Sequence, residues 1–300
     1  MPCHETFDHC CVTPCPFERR REALLQLAAV HDPAQQPALS AALAQAKATP
    51  TFDWQGLWVI MCGARIESAL WIEPLAEATA RLWLPASRHD GLQALLSAAW
   101  HWAQTRGVTL CHVILDAGQF GVEAALKASG MALLSTLEQL QAALSPPPPT
   151  GHMLALSPFD ALSRDQQKAL LQGIGEGSLD CPALREALSV ETLLGGFEAR
   201  AAPSARHWYR VTRRGDTIGA LLLNAHDARH WELQLMGLFE RCRGQGLGAE
   251  LLALSKRVAF DDGASTLSLT LDAGNLPARK CYAAGGFAVQ ARQRLWAWKR

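Results

Sequence analysis

Two arginines and three glycines stand directly before an apolar helical pattern in "ERCRGQGLGAEL", residues 240–251. A glycine-rich turn feeding a helix offers exposed backbone amides to an anion on the positive end of the helix dipole, and glycine lets that anion come close. Arg241 and Arg243 add charge nearby. A Walker loop would need Gly-Lys-Ser/Thr at its end, but Gly248-Ala249-Glu250 stands there, which argues against a nucleoside triphosphate. Gly244, Gly246 and Ala249 satisfy the dinucleotide pattern G-x-G-x-x-G/A, with Asp272 as a candidate acidic partner at the end of the following strand. That pattern requires a buried parallel strand before the loop, whereas "WELQLMGL" (231–238) alternates and follows a hairpin.

The elements that must position this loop are legible around it. Two helical segments, "SPFDALSRDQQKALLQGIGEG" and "PALREALSVETLLGGFEA", come first. "HWYRVTR" and "TIGALLLN" follow as a hairpin turning at Gly215-Asp216, then "WELQLMGL" as a third strand. After the loop come a helix from about Gly246 to Phe260, and "TLSLTLD" with Leu267, Leu269 and Leu271 on one buried face. A short helix after Asn275 and two strands, "FAVQ" and "RLWAW", end the chain.

The first half repeats this order. A shift of 155 places Arg88, Gly91, Leu92, Ala94 and Leu96 on Arg243, Gly246, Leu247, Ala249 and Leu251. A shift of 156 superposes "LDAGQFGVEAALKASGMA" (115–132) on "LDAGNLPARKCYAAGGFA" (271–288) without gaps. Two segments in the same order at nearly the same shift indicate a duplicated domain. Pro146 to Pro149 remove four backbone donors and favour an extended spacer. The expected organisation is therefore a domain over 1–145, a proline linker over 146–150 and a second domain over 151–300.

Composition sets limits on function. At 49% apolar residues the 300-residue chain has ample material for packed cores. Net charge is zero, with Lys+Arg against Asp+Glu at 9 to 13 in the first half and 19 to 15 in the second. An asymmetry of four charges is too small to argue for nucleic acid and suits a small anionic ligand. No apolar run approaches a membrane span and the amino terminus lacks the order of a signal peptide, so a cytoplasmic protein is expected. Nine scattered cysteines fit reduced core thiols. Cys3, His4, His9, Cys10, Cys11 and Cys15 crowd the amino terminus, but their spacing matches no standard zinc arrangement, and no metal is expected.

Arg243, Gly246 and Gly248 fit the loop pattern Arg/Gln-x-x-Gly-x-Gly/Ala, and Asn275, Ala278, Tyr282, Gly286 and Phe287 fit a second motif at the proper separation. On these residues the chain resembles the GCN5-related N-acetyltransferases (GNAT), and its tandem form is similar to mycothiol synthase-like double acetyltransferases. The resemblance implies an α/β (α+β) fold of two GNAT-like domains, each a mixed, mostly antiparallel sheet flanked by helices. It implies acetyl-CoA as co-substrate and a small-molecule or peptide amine as acceptor. It also implies that the 231–238 strand splays from its parallel neighbour, with a bulge near Gly237, and that the amide of Gly237 or Leu238 polarises the acetyl carbonyl. The pyrophosphate would lie on amides from Arg243 to Gly248, including those of Gly244, Gln245, Gly246 and Leu247.

An alkylamine must lose a proton before it attacks. Glu232 is the candidate base, with Glu240 second; a solvated strand residue is the competing reading of Glu232. Tyr282, seven residues after Asn275 and near the same helical face, is the candidate acid for the departing thiolate, against a role in core packing. Asn275 before Leu-Pro is also a good helix N-cap. "EGSLDCPALRE" (176–186) is expected to shape the acceptor pocket, although its Asp180 and Cys181 could equally cap and pack a helix. In the duplicate, His89, Gln93, Gln119 and Leu126 stand for Gly244, Gly248, Asn275 and Tyr282. Activity is therefore expected in the second half alone. The alternative is a tandem pseudo-enzyme that binds or senses acyl-CoA without catalysis.

Overall fold

The computed structural model describes residues 10–30, 36–48, 54–75, 78–85, 91–117, 120–146, 153–200, 204 and 206–299. It divides into two compact units whose boundaries fall at Leu133/Leu134 and Arg294/Leu295. This differs from a division at the prolines, and the reason is strand pairing. Residues 134–143 precede the proline run, yet they belong to the second unit, where Leu137 to Ala143 pair antiparallel with the strand Thr266–Asp272.

The first unit holds strands β1 (Cys10–Pro14), β2 (Leu57–Cys62), β3 (Arg65–Pro74), β4 (Thr79–Trp83) and β5 (Leu110–Asp116), adjacent in that order. Its helices are α1 (Arg20–Val30), α2 (Gln36–Ala48), α3 (Leu92–Thr105) and α4 (Phe120–Ala128). One apolar cluster joins Leu92, Leu96, Ala99 and Ala103 of α3 to Leu82, Val113 and Leu126, and a second sets Ala23, Leu27 and Leu39 against Trp71. Cys10 faces Cys62 in the β1–β2 register and the two form a disulfide, so the expectation of reduced thiols throughout fails at this pair. Cys15 and Cys111 are free and buried, as small apolar side chains tend to be. Cys3, His4 and His9 lie outside the described residues. Among the described residues no group of metal-ligating side chains gathers, and no helix is long and apolar enough to cross a membrane.

The second unit opens with the last ten residues of β6 (Ala132–Ala143), followed by β7 (Leu154–Pro158), α5 (Arg164–Gly175), α6 (Pro182–Ala187) and α7 (Val190–Ala199). Then come β8 (Arg206–Arg213), β9 (Asp216–Ala225), β10 (His230–Leu238), α8 (Leu247–Asp261), β11 (Thr266–Asp272), α9 (Leu276–Ala284) and the first part of β12 (Ala288–Lys299). Its strands run in the order β6-β11-β10-β9-β8-β7, antiparallel except for β10 with β11. Three expectations need revision here. Strand β7 was not anticipated, the second helical segment breaks at Leu188-Ser189, and the two closing strands are one continuous β12. Ser189 explains the break: its side chain accepts from the Thr192 amide and caps a new helix, a contribution of about 1 kcal/mol.

Local chemistry sets the geometry of the remaining elements. Ser163 and Gln166 form a reciprocal capping box at the start of α5. Arg214 and Gly215 both have positive φ, as a two-residue hairpin turn requires, so the turn pair is Arg214-Gly215 and not Gly215-Asp216. One face of the sheet buries Leu247, Leu251 and Leu254 of α8 with Tyr282 of α9; the other buries Leu170, Leu171 and Ile174 of α5 with Leu194 of α7. On β9, a Cβ at Gly219 would stand 2.1 Å from the Gly237 carbonyl oxygen. Gly219→Ala is expected to destabilise the chain by roughly 1–3 kcal/mol through overpacking, measured by denaturant unfolding; unchanged stability would show that the strands part more readily than their packing implies.

The duplication is visible in the boundaries. Helices α3 and α8 begin 155 residues apart, while β5 and β11 end, and α4 and α9 begin, 156 apart. Arg88, His89 and Gln119 lie outside the described residues.

Candidate active site

Strands β10 and β11 pair only over His230–Glu232 and Thr266–Ser268. Beyond that, β10 follows β9 to Leu238 and β11 follows β6 to Asp272, which opens a slot between them. The register shift that turns β10 away falls between Leu233 and Leu235, at Gln234, and not near Gly237 as expected. The slot holds the polar backbone groups that neither neighbouring strand uses.

Which amides face it follows from alternation along the strand. The Phe239 amide donates to Ile218 on β9 at 2.9 Å, so Gly237 also faces β9, while Met236 and Leu238 direct their amides into the slot. Of the two residues expected to polarise an acyl carbonyl, Leu238 is the one so oriented. Gly237 has a packing role, because a Cβ there would meet Ile174 Cγ2 at 2.1 Å. Met236 was missed in the sequence, since its orientation depends on a bulge whose position the side chains do not announce.

Below the slot the glycine loop enters α8. Gly244 and Gly246 have φ of +74° and +79°, a region that side chains disfavour. An added Cβ at either would meet nothing within 4 Å beyond its chain neighbours, so the space above the loop is open. Gly244, Gln245 and Gly246 are exposed, and the amides of Leu247 and Gly248 belong to the first helical turn, where no intrahelical acceptor exists. This cradle fits an anionic phosphate. Gln245 is folded onto its own loop: its Nε2 donates to the Arg241 carbonyl, and its Oε1 accepts from Arg213 Nη1 at 3.4 Å.

The two arginines of the motif divide their roles. Arg243 turns inward, donating from Nε to the Leu238 carbonyl at 3.0 Å and from Nη2 to the Ile174 carbonyl at 2.7 Å. It fixes the end of β10 to α5, and its amide donates to the Glu240 carbonyl at 3.0 Å, so neither its guanidinium nor its amide is left for a ligand. Arg241 lies over the Phe239 ring and, with Arg213, Arg214, Asp216, Thr217 and Leu247, lines a cavity of about 490 Å³ beside the loop. Arg213 and Arg214 come from the β8–β9 hairpin, where a basic turn gave no sequence signal of its own.

The ionisable candidates lie at different heights along the strands. Glu232 is buried at the closed end of the slot, away from the glycine loop, paired through Oε1 with Arg200 and through Oε2 with His226 at 3.3 Å. Burial opposes its ionisation, but His226 and Arg200 outweigh burial and hold the carboxyl below its usual range; the same contact raises His226. Glu232 is therefore a committed carboxylate of reduced basicity. Glu240 is exposed at the loop, with Oε1 2.7 Å from where a Cβ on Gly177 would stand. Tyr282 is buried on α9, edge-on to Phe287 at 5.7 Å. Burial, reinforced by the charge of Asp180, pushes its phenol far above the usual range, so near neutral pH it is a protonated donor. Helix α9 is fixed by Asn275, whose Oδ1 accepts from the Ala278 amide at 3.3 Å, and by Arg279, which pairs at 3.1 Å with Glu138, buried on β6.

A slot with inward amides, a glycine cradle below it and a buried phenol beside it together suit a thioester with a phosphorylated arm. Residues 179–287 match the family model described as Acetyltransferase (GNAT) family. Over these residues the chain is similar to the GNAT acetyltransferases. The GNAT family uses acetyl-CoA and carries out acetyl transfer.

Solved structures extend the fold to nearly the whole chain. A GCN5-related N-acetyltransferase from Sphaerobacter thermophilus is 15% identical over 97% of this chain and 95% of its own, with a TM-score of 0.64. A tandem GNAT protein from the clavulanic acid biosynthesis pathway is 17% identical over 97% and 98%, with a TM-score of 0.58. An acetyltransferase from Pyrococcus horikoshii, described as putative, is 9% identical over 100% and 93%, with a TM-score of 0.55. No curated protein matches the chain.

Proposed function

We propose that the chain is an N-acetyltransferase that moves an acetyl group from acetyl-CoA to an amine by direct attack, with its working site in the second unit. The observation that carries this reading is the glycine cradle set at the base of the β10–β11 slot, within the region that matches the GNAT family. The amides from Gly244 to Gly248 would hold the pyrophosphate, the Arg243 amide being engaged by the Glu240 carbonyl, and the arginine-lined cavity beside them supplies positive charge for a further phosphate. Leu238 and Met236 would direct amides at the acyl oxygen, and Tyr282 would return a proton to the departing sulfur. Asn275 serves by capping the helix that carries Tyr282.

Leu126, at the position of Tyr282 in the first unit, is fully buried in an apolar cluster and has no proton to give. We assign coenzyme binding and turnover to the second unit alone. The test is thiol release from acetyl-CoA with ethanolamine, spermidine, glucosamine and a lysine amide as acceptors. Amine-dependent release with formation of the N-acetyl product is the expected result. Tight coenzyme binding with no release for any amine would favour a non-catalytic acyl-CoA-binding protein.

A further inference from the structure

We infer that Asp180, from the segment between α5 and α6, is the catalytic base that takes the proton of the acceptor amine; this rests on the acetyltransferase reading above. Ala273 donates its amide to Thr136 on β6 at 2.8 Å, so by alternation the Asp272 amide points away from β6 and into the slot. That amide donates to Asp180 Oδ1 at 3.1 Å, which places the Asp180 carboxyl in the gap between β10 and β11. Counting along both strands from Glu232 opposite Ser268, with one residue absorbed by the bulge, sets Asp272 level with Met236 and Gly237. Asp180 thus stands at the level where the β10 amides enter the slot, whereas Glu232 lies four residues away, at the closed end where β10 and β11 pair.

The segment is pinned in this position. Cys181 returns the bond, its amide donating to Asp272 Oδ2 at 3.1 Å, while Asp272 Oδ1 accepts from Gly274 at 2.8 Å. Cys181 adopts φ of +44° directly before Pro182, a left-handed conformation that non-glycine residues disfavour. Strain held by two reciprocal hydrogen bonds is a feature concentrated at working sites. The groups facing Asp180 are Asp272 on β11, Arg185 on α6, Tyr282 on α9 and its neighbour Cys181. Burial raises the Asp180 carboxyl above its usual range, with Asp272 adding to the rise and the Asp272 amide and Arg185 opposing it. The rise moves its basicity toward the neutral range a general base needs.

In the reaction the ammonium of the acceptor gives one proton to Asp180, which passes it to water. The free amine forms the C–N bond as the C–S bond breaks. The second nitrogen proton replaces the one that Tyr282 delivers to sulfur, so the products are an amide, a thiol and one released proton.

Asp180→Asn keeps an acceptor for the Asp272 amide and removes the base. With the amines named above, its kcat near neutrality should fall about 10²-fold, with KM for acetyl-CoA unchanged, activity returning as pH approaches the amine's own pKa, and Asp180→Glu recovering part of the rate. A rate and pH profile equal to those of the unsubstituted chain would overturn the proposal, as would tighter acetyl-CoA binding with unchanged turnover, which would make the segment a plug in the slot. Carboxyl-carbon NMR of the aspartate-labelled full chain gives a readout independent of turnover. An aspartate that titrates above the ordinary range and shifts with acetyl-CoA supports the assignment; aspartates that all titrate normally and ignore the coenzyme overturn it. If acetyl-CoA does not bind the unsubstituted chain at all, the acetyltransferase reading fails, whatever Asp180 does.

Discussion

Gly246→Trp is expected to lower acetyl-CoA affinity by about 10²-fold or more while the chain stays folded. The amides around Gly246 would make charge-assisted hydrogen bonds to phosphate, each contributing about 1.5–3 kcal/mol, and an indole above the loop blocks at least two of them. The open space at this position means that the indole displaces ligand and not protein. The conformational cost is a side chain at φ of +79°, about 1–2 kcal/mol, which a domain of ordinary stability tolerates. Calorimetric titration reads the affinity and thermal denaturation reads the fold. Unchanged affinity in a folded variant would remove the phosphate from this loop.

Tyr282→Phe is expected to lower kcat by about 10²–10³-fold, the range for loss of a positioned general acid, with coenzyme affinity within a factor of two or so, since phenylalanine keeps the packing against Phe287. The phenol is held protonated by burial, so the loss should persist across neutral pH and not titrate in. Equal turnover in the two proteins would reduce Tyr282 to a packing residue. A large loss of affinity with kcat unchanged would place its hydroxyl on the coenzyme instead of the leaving sulfur.

The sequence was most informative where backbone conformation or periodicity dictates residue type. Glycines at positive φ, the apolar stripe of α8 and the alternation of β11 all follow from such rules, and the duplicate repeats the element order at offsets of 155 and 156 residues. It was least informative where one element is placed by another. The proline run looked like a boundary, but β6 pairs with β11 and carries the second unit's edge past it. Gln234 does not announce a bulge, so the choice between Gly237 and Leu238 could not be made until the register was known. Arg243 read as a ligand residue by charge, although two carbonyls claim its guanidinium. Asp180 is legible in the sequence only as part of a segment expected to shape the acceptor pocket, because its position in the slot depends on Asp272, far along the chain. Glu232, the candidate base by sequence, is held by Arg200 and His226, two partners from other segments.

The most direct test of the central claim is the stoichiometry of acetyl-CoA binding to the full chain by calorimetry. Binding of one coenzyme per chain, lost in Gly246→Trp, is the result expected from a working slot in the second unit and a first unit that does not bind coenzyme. Two coenzymes per chain, or one that Gly246→Trp leaves in place, would contradict it.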